Sequence, residues 1–147
     1  MAKFSVFGSK GAASVTGIIG ARADATTPQR GKLYDYMVAC IATPADNVFT
    51  HLIQRSSTAG TGAAVTPSPL DPADAAALMD GIDTITVNPT TGVTLLQVGL
   101  NQRATYRWVA APGSELVFPA TASNGLLGAL GAASTSDFDA TMLLEAS

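Results

Sequence analysis

Leu96-Gln97-Val98-Gly99-Leu100-Asn101-Gln102-Arg103-Ala104-Thr105-Tyr106-Arg107-Trp108 is the stretch on which the fold class turns. Its even positions include Leu96, Val98, Leu100, Ala104, Tyr106 and Trp108. Its odd ones include Gln97, Asn101, Arg103, Thr105 and Arg107. An extended chain sends successive side chains to opposite faces. A period of two, apolar against polar, therefore marks a strand with one face covered and the other in solvent. The stretch reads as one long strand or as two joined near 99–102.

Similar signals continue on both sides. Upstream, Thr84-Ile85-Thr86-Val87 alternates, and Asn88-Pro89-Thr90-Thr91-Gly92 is a turn. Downstream, Pro112-Gly113 turns the chain into a short strand, Glu115–Phe118, which Pro119 ends. Asn124-Gly125 is a hairpin signal before Leu126–Leu130. Phe138, Ala140, Met142 and Leu144 then alternate with Asp139, Thr141 and Glu145, with Leu143 on the outer face. Nearer the start, Leu33–Ala42 is apolar on both faces apart from Asp35, as in a strand covered on both sides. Pro44 and Asp46-Asn47 end it, and Val48–Arg55 follows at hairpin distance. About eight strands with turns at short, regular spacing predict an all-β fold, an antiparallel β-sandwich with jelly roll as the leading topology.

Three segments read differently. Residues 1–30 read as an extended N-terminal arm preceding a sandwich domain over 31–147. Gly17 and Gly20 flank the apolar piece Ile18-Ile19, which weakens it as a free-standing element, so the arm is expected to order on a neighbouring subunit. Residues 56–70 are rich in Ser, Thr, Gly and Pro and read as a long loop. One short helix is expected near 71–80: Asp71 is an N-cap, Pro72 suits the first turn, Ala73–Met79 holds helix formers and Gly81 can end it.

Composition narrows the function. The chain has 147 residues, 47 % of them hydrophobic and only 13 % charged, with a net charge of −3. That charge content is about half of the roughly 25 % usual for soluble domains, so the surface is either bland or hidden in contacts. The few Arg and Lys, including Arg22, Arg30, Lys32, Arg55, Arg103 and Arg107, are scattered and form no track for a phosphate backbone; no nucleic-acid partner is expected. No apolar run is long enough to span a bilayer, so no membrane association is expected. Gly8, Ser9, Lys10 and Gly11 interrupt the apolar start, which does not read as a signal peptide. The expectation is synthesis and assembly in a cytoplasm.

No reaction kit is visible. One His and one Cys are too few for a zinc or iron site, and no cofactor or metal is expected. His51 sits in mid-strand and reads as a packed or surface histidine; Cys40 reads as a small hydrophobe in an apolar run. A Cys40–His51 pair has no nucleophile signature around it. Gly113-Ser114 lacks a nucleophile elbow, and Gly60-Thr61-Gly62 lacks the lysine of a phosphate loop. Asp71, Asp74, Asp80 and Asp83 cluster in sequence without the spacing of a calcium loop. Tyr106 and Trp108 share a strand face, as core packing or as a platform for sugar stacking. The expectation is a protein that is not an enzyme, with no catalytic, cofactor or metal residues.

The run Asn101–Gly125, with its Trp-x-x-x-Pro-Gly, its strand ending in Pro-Ala-Thr and its Asn-Gly turn, resembles small virion proteins of tailed bacteriophages. His51-Leu52-Ile53-Gln54-Arg55 followed by Thr58-Ala59-Gly60-Thr61-Gly62 resembles them too. The resemblance implies a capsid decoration (cement) protein on the virion's outer surface. Such a protein binds the major capsid protein as a homotrimer and holds capsomers together. A head or tail appendage domain that binds a host surface glycan is the alternative. The family supplies no catalytic residue to carry across.

Overall fold

The alternating segments do become strands. In a computed structural model describing residues 1–147, twelve strands form two six-stranded antiparallel sheets and there is no helix. The first sheet holds β1 (Lys3–Ser9), β3 (Gly31–Cys40), β6 (Ser68–Pro69), β9 (Tyr106–Val109), β10 (Leu116–Phe118) and β12 (Phe138–Ala146). Its order is β6-β1-β12-β3, with β9 and β10 end to end along the free side of β3. The second holds β2 (Gly17–Ala23), β4 (Val48–Ser56), β5 (Thr61–Val65), β7 (Met79–Val87), β8 (Thr91–Asn101) and β11 (Gly125–Leu130), in the order β5-β7-β2-β11-β4-β8.

No two consecutive strands pair. Turns that read as hairpins in the sequence instead carry the chain elsewhere. The 43–47 loop takes β3 of one sheet to β4 of the other. The Asn124-Gly125 turn, with Ser123 at φ 63°, takes β10 across to β11. The long alternating stretch divides as its two-strand reading has it, but β8 and β9 lie in opposite sheets. Pro112-Gly113 sits in an excursion of the edge strand, because β9 and β10 run in the same direction along β3. Local turn chemistry bends the chain in each case. Which strand it then meets is set by burial, since each strand must put its apolar face between the sheets.

The N-terminal arm is a correction. Residues 1–30 contain β1, hydrogen-bonded between β12 and β6, and β2, held between β7 and β11. Phe4, Val6, Ile18, Ile19, Ala21 and Ala23 from this segment are core residues. The glycines that weaken Ile18-Ile19 as an isolated piece are what a central strand needs: a Cβ on Gly20 would lie 2.9 Å from Ile82 Cγ2, and one on Gly17 2.7 Å from Asn88 Oδ1.

The helix near 71–80 is a second correction. Asp71 does accept from Ala73 N (2.9 Å), and Asp74 N donates to Asp71 O (3.0 Å), but only one turn forms. Ala73, Ala75, Ala76 and Leu78 are exposed, so a helix here would have no apolar stripe to bury. Met79 and Ile82 are buried by β7 pairing with β2, and that burial wins. The 56–70 loop is also partly regular, containing β5 and the two-residue β6.

Between the sheets lies one main core, with Phe4, Leu33, Tyr36, Phe118, Phe138, Met142 and Leu144 from the first sheet against Ile18, Ile53, Leu126 and Leu130 from the second. Each such large side chain contributes about 1.5–3 kcal/mol by leaving water. A small second cluster, Ile82, Ile85, Leu127 and Ala129, packs around the same central strands. The crossovers 57–60 and 88–90 brace this part of the molecule. Ser57 N donates to Thr90 O, Thr90 N to Thr58 Oγ1, Arg22 Nη1 to Ala59 O and Gly17 N to Asn88 Oδ1. This is why Gly125–Leu130 is buried at every position.

Candidate functional site

The polar groups of the interior centre on Tyr36 and His51. Tyr36 reaches from β3 across the core, and its hydroxyl lies 2.7 Å from His51 Nε2 on β4, a hydrogen bond in which either group can donate. The two rings stack with centroids 5.3 Å apart, and Tyr106 closes a third side at 6.4 Å. Gly128 on β11 makes the room, since a Cβ there would lie 2.5 Å from Tyr36 Oη. Burial pushes the His51 pKa down to about 4 and raises that of Tyr36, so both are neutral at pH 7. His51 Nδ1 is buried without a partner. His51 is thus packed rather than at the surface, a choice its sequence position leaves open, with a cross-sheet bond that sequence cannot show.

Cys40 is not brought to His51. Its Sγ donates to Ala42 O at 3.6 Å, and β3 and β4 belong to opposite sheets. No three His, Cys, Asp or Glu side chains gather where a metal could bind. Asp71 caps its turn, Asp80 lies 3.7 Å from Arg22 Nε, and Asp83 Oδ1 accepts from Thr84 Oγ1 at 3.3 Å. These three carboxylates serve separate local structures, and Asp74 lies in the turn that Asp71 caps.

Arg107 is exposed, yet it is not free to meet a partner's carboxylate. Its Nε donates to Asp35 Oδ1 (3.1 Å) and Oδ2 (3.2 Å), and its Nη2 to Oδ2 (2.5 Å). Asp35, the single polar break in an apolar strand, is buried beneath this fork. The Asp35 hydrogen bonds raise the Arg107 pKa above its usual value. Arg103 is exposed in the turn after β8, where its N–H donates to Asn101 Oδ1. Tyr106 and Trp108 are half-buried against the core, and burial raises the Tyr106 pKa.

The surface offers more than the interior. An open cleft of about 910 Å³ lies between β4, the 43–47 loop and the 131–136 loop. None of its lining residues is ionisable. Thr50 and Leu52 of β4, Gln97 of β8 and Ala132 and Ala133 are among them. Val48 at its edge is 80 % exposed. Buried Gln102 ties the surrounding loops together. Its Oε1 accepts from Ala45 N (3.0 Å) and Ser136 Oγ (3.3 Å), and its N–H donates to Asn47 O (2.9 Å). Lys10 holds the 131–136 loop from behind, donating from Nζ to Ser134 O (2.7 Å) and Ala12 O (3.1 Å). Desolvation lowers the Lys10 pKa, with Asp137 opposing. Neither role is legible in sequence, because each side chain acts on loops more than thirty residues away.

Compared with protein-family models, curated proteins and solved structures, the chain matches none of them.

Proposed function

We propose that this is a virion structural protein, a decoration or cement protein that binds the outer surface of a phage capsid and stabilises contacts between capsomers. The observation that carries the reading is the uncharged cleft beside β4 between two tied loops, in a chain with very few charges. A surface that docks by burying itself gains most when few charges must be desolvated. Many modest contacts repeated on a symmetric shell then add through avidity, so no single site must be tight. The resemblance of residues 101–125 to phage virion proteins points the same way. In this reading the protein acts without catalysis, as a homotrimer on the major capsid protein.

The jelly-roll assignment belongs to the same proposal. Taking β9 and β10 as one interrupted strand, β1-β12-β3-β9/β10 and β2-β11-β4-β8 are the two four-stranded halves of a jelly roll, and β5, β6 and β7 are an insertion between its fourth and fifth strands. The glycan-binding alternative calls for an exposed aromatic platform, whereas Tyr106 and Trp108 pack half-buried on the core.

Cryo-electron microscopy of the intact particle tests the function. Density for this sandwich on the outer shell, in copies that follow capsid symmetry, is expected. Density confined to the tail or to the inside of the shell overturns the proposal.

A further inference from the structure

A sandwich has four sheet edges, and an edge strand turns unpaired N–H and C=O groups outward, ready to template another strand. Three of the four are guarded. β6 is two residues long and includes Pro69. The β9/β10 edge is broken by the 110–115 excursion and carries the Arg107–Asp35 ion pair. β5 is five residues long, and its register slips at Gly62.

β8 is different. It is eleven residues long, Thr91–Asn101, with no charge and no proline, and only β4 pairs with it. The register slips near Thr94, but from Leu96 to Asn101 it runs evenly against Val48–Ile53. Those six residues form a ladder of unbroken register with one side open. Their inner face, Leu96, Val98 and Leu100, is apolar and half-buried.

We infer that β8 is a self-association edge that pairs antiparallel with β8 of a second copy of this chain. The open ladder defines the occupant as an extended strand, and the sequence of β8 favours its own copy. Pairing about a two-fold axis through Val98 sets Leu96 opposite Leu100 of the other copy and Val98 opposite Val98. The two inner faces thus continue as one apolar row. On the outer face Gln97 meets Gly99, where nothing lies within 4 Å of the missing Cβ. An isologous contact sets like against like, and a strand without charges meets no repulsion in doing so. Gln97 also lines the uncharged cleft, so pairing joins the clefts of two copies across one continuous twelve-stranded sheet. The inference does not depend on the capsid reading, because the pairing belongs to the purified chain. A two-fold strand pair is also a different contact from the three-fold one of the proposed trimer.

The test is sedimentation of the purified full chain over a roughly hundredfold concentration range, with hydrogen exchange of residues 96–100 in dilute and concentrated samples. Association with slowed exchange in this segment is expected. Gln97→Lys with Gly99→Lys sets lysine against lysine twice and should weaken association by roughly tenfold or more. Gln97→Glu with Gly99→Lys sets opposite charges at the same places and should restore it. Gln97 is exposed and Gly99 has open space, so both doubles should keep the thermal midpoint of the parent in dilute, monomeric samples. A monomer at every concentration overturns the inference. So does an assembly that the lysine pair leaves unchanged, or one that the charge-swapped double does not restore.

Discussion

Single residues carry the stability of the core's polar centre. Burial holds the folded His51 pKa at about 4, against 6.5 in the unfolded chain. The sign follows from linkage. Above pH 6.5 both states are neutral at this site and its stability is fully present. As pH falls toward 4 the unfolded chain takes up a proton that the fold excludes, so stability drops. Up to about 3 kcal/mol is lost across this window, at about 1.4 kcal/mol per pH unit. His51→Gln keeps an acceptor for the Tyr36 hydroxyl without titrating. Denaturation midpoints of the two proteins at a series of pH values should show a flatter slope for the variant between 6.5 and 4. Gly128→Ala tests the neighbouring space. Its Cβ would fall 2.5 Å from Tyr36 Oη, which cannot retreat without giving up His51, so a loss of about 1–3 kcal/mol is expected in urea unfolding. His51 was legible as a structural residue, packed or at the surface. Its partner was not, because Tyr36 lies on a strand of the other sheet.

Elements show where periodicity succeeds and where it slips. β12 is buried at alternate positions from Phe138 to Ala146, as its sequence indicates, with Leu143 on the outer face. β3 departs from strict alternation because its register against β12 passes from Leu143↔Asp35 to Leu144↔Leu33, leaving Tyr34 as an extra residue. Leu33 and Tyr36 therefore both point inward, although odd and even positions should face apart. A bulge is a property of two strands together and leaves no mark on one of them alone. The 131–136 loop depends in the same way on a distant side chain, Lys10. Replacing it by methionine keeps length and apolar stem but removes both carbonyl contacts. Lys10→Met should speed amide exchange across 131–137 while leaving β4 and β11 protected, as mass-spectrometric hydrogen exchange can read.

At the scale of the whole molecule, the N-terminal segment decides the architecture. If residues 1–30 formed an appended arm, removing them would leave a folded sandwich. In the structure β1 and β2 are interior strands whose loss would open both sheets and strip Phe4, Val6, Ile18 and Ile19 from the core. A chain beginning at Gly31 should therefore fail to fold, with no cooperative thermal transition by circular dichroism; a sharp transition would restore the arm reading. Surface chemistry also emerges only at this scale. The cleft draws on β4, β8 and two loops, and residues as far apart as Ala45 and Ser136 line it.

The amino-acid order by itself determined several strands after residue 30, the apolar core faces of those strands and the shortage of charge, because these depend on side-chain period and composition. It placed β4, β10, β11 and β12 well and read Asp35 as an anomaly in an apolar strand. Only the tertiary structure decided which strands are neighbours. Consecutive strands never pair, so each ladder joins segments distant in sequence, and no local turn signal can specify such a partner. Tertiary packing also turned a weak glycine-flanked piece into the centre of a sheet and denied residues 71–80 a helix. In both places burial against remote strands outweighed local propensity. The open β8 edge has the same origin: its chargeless sequence was visible from the start, but whether it had a neighbour on one side or two was a matter of topology.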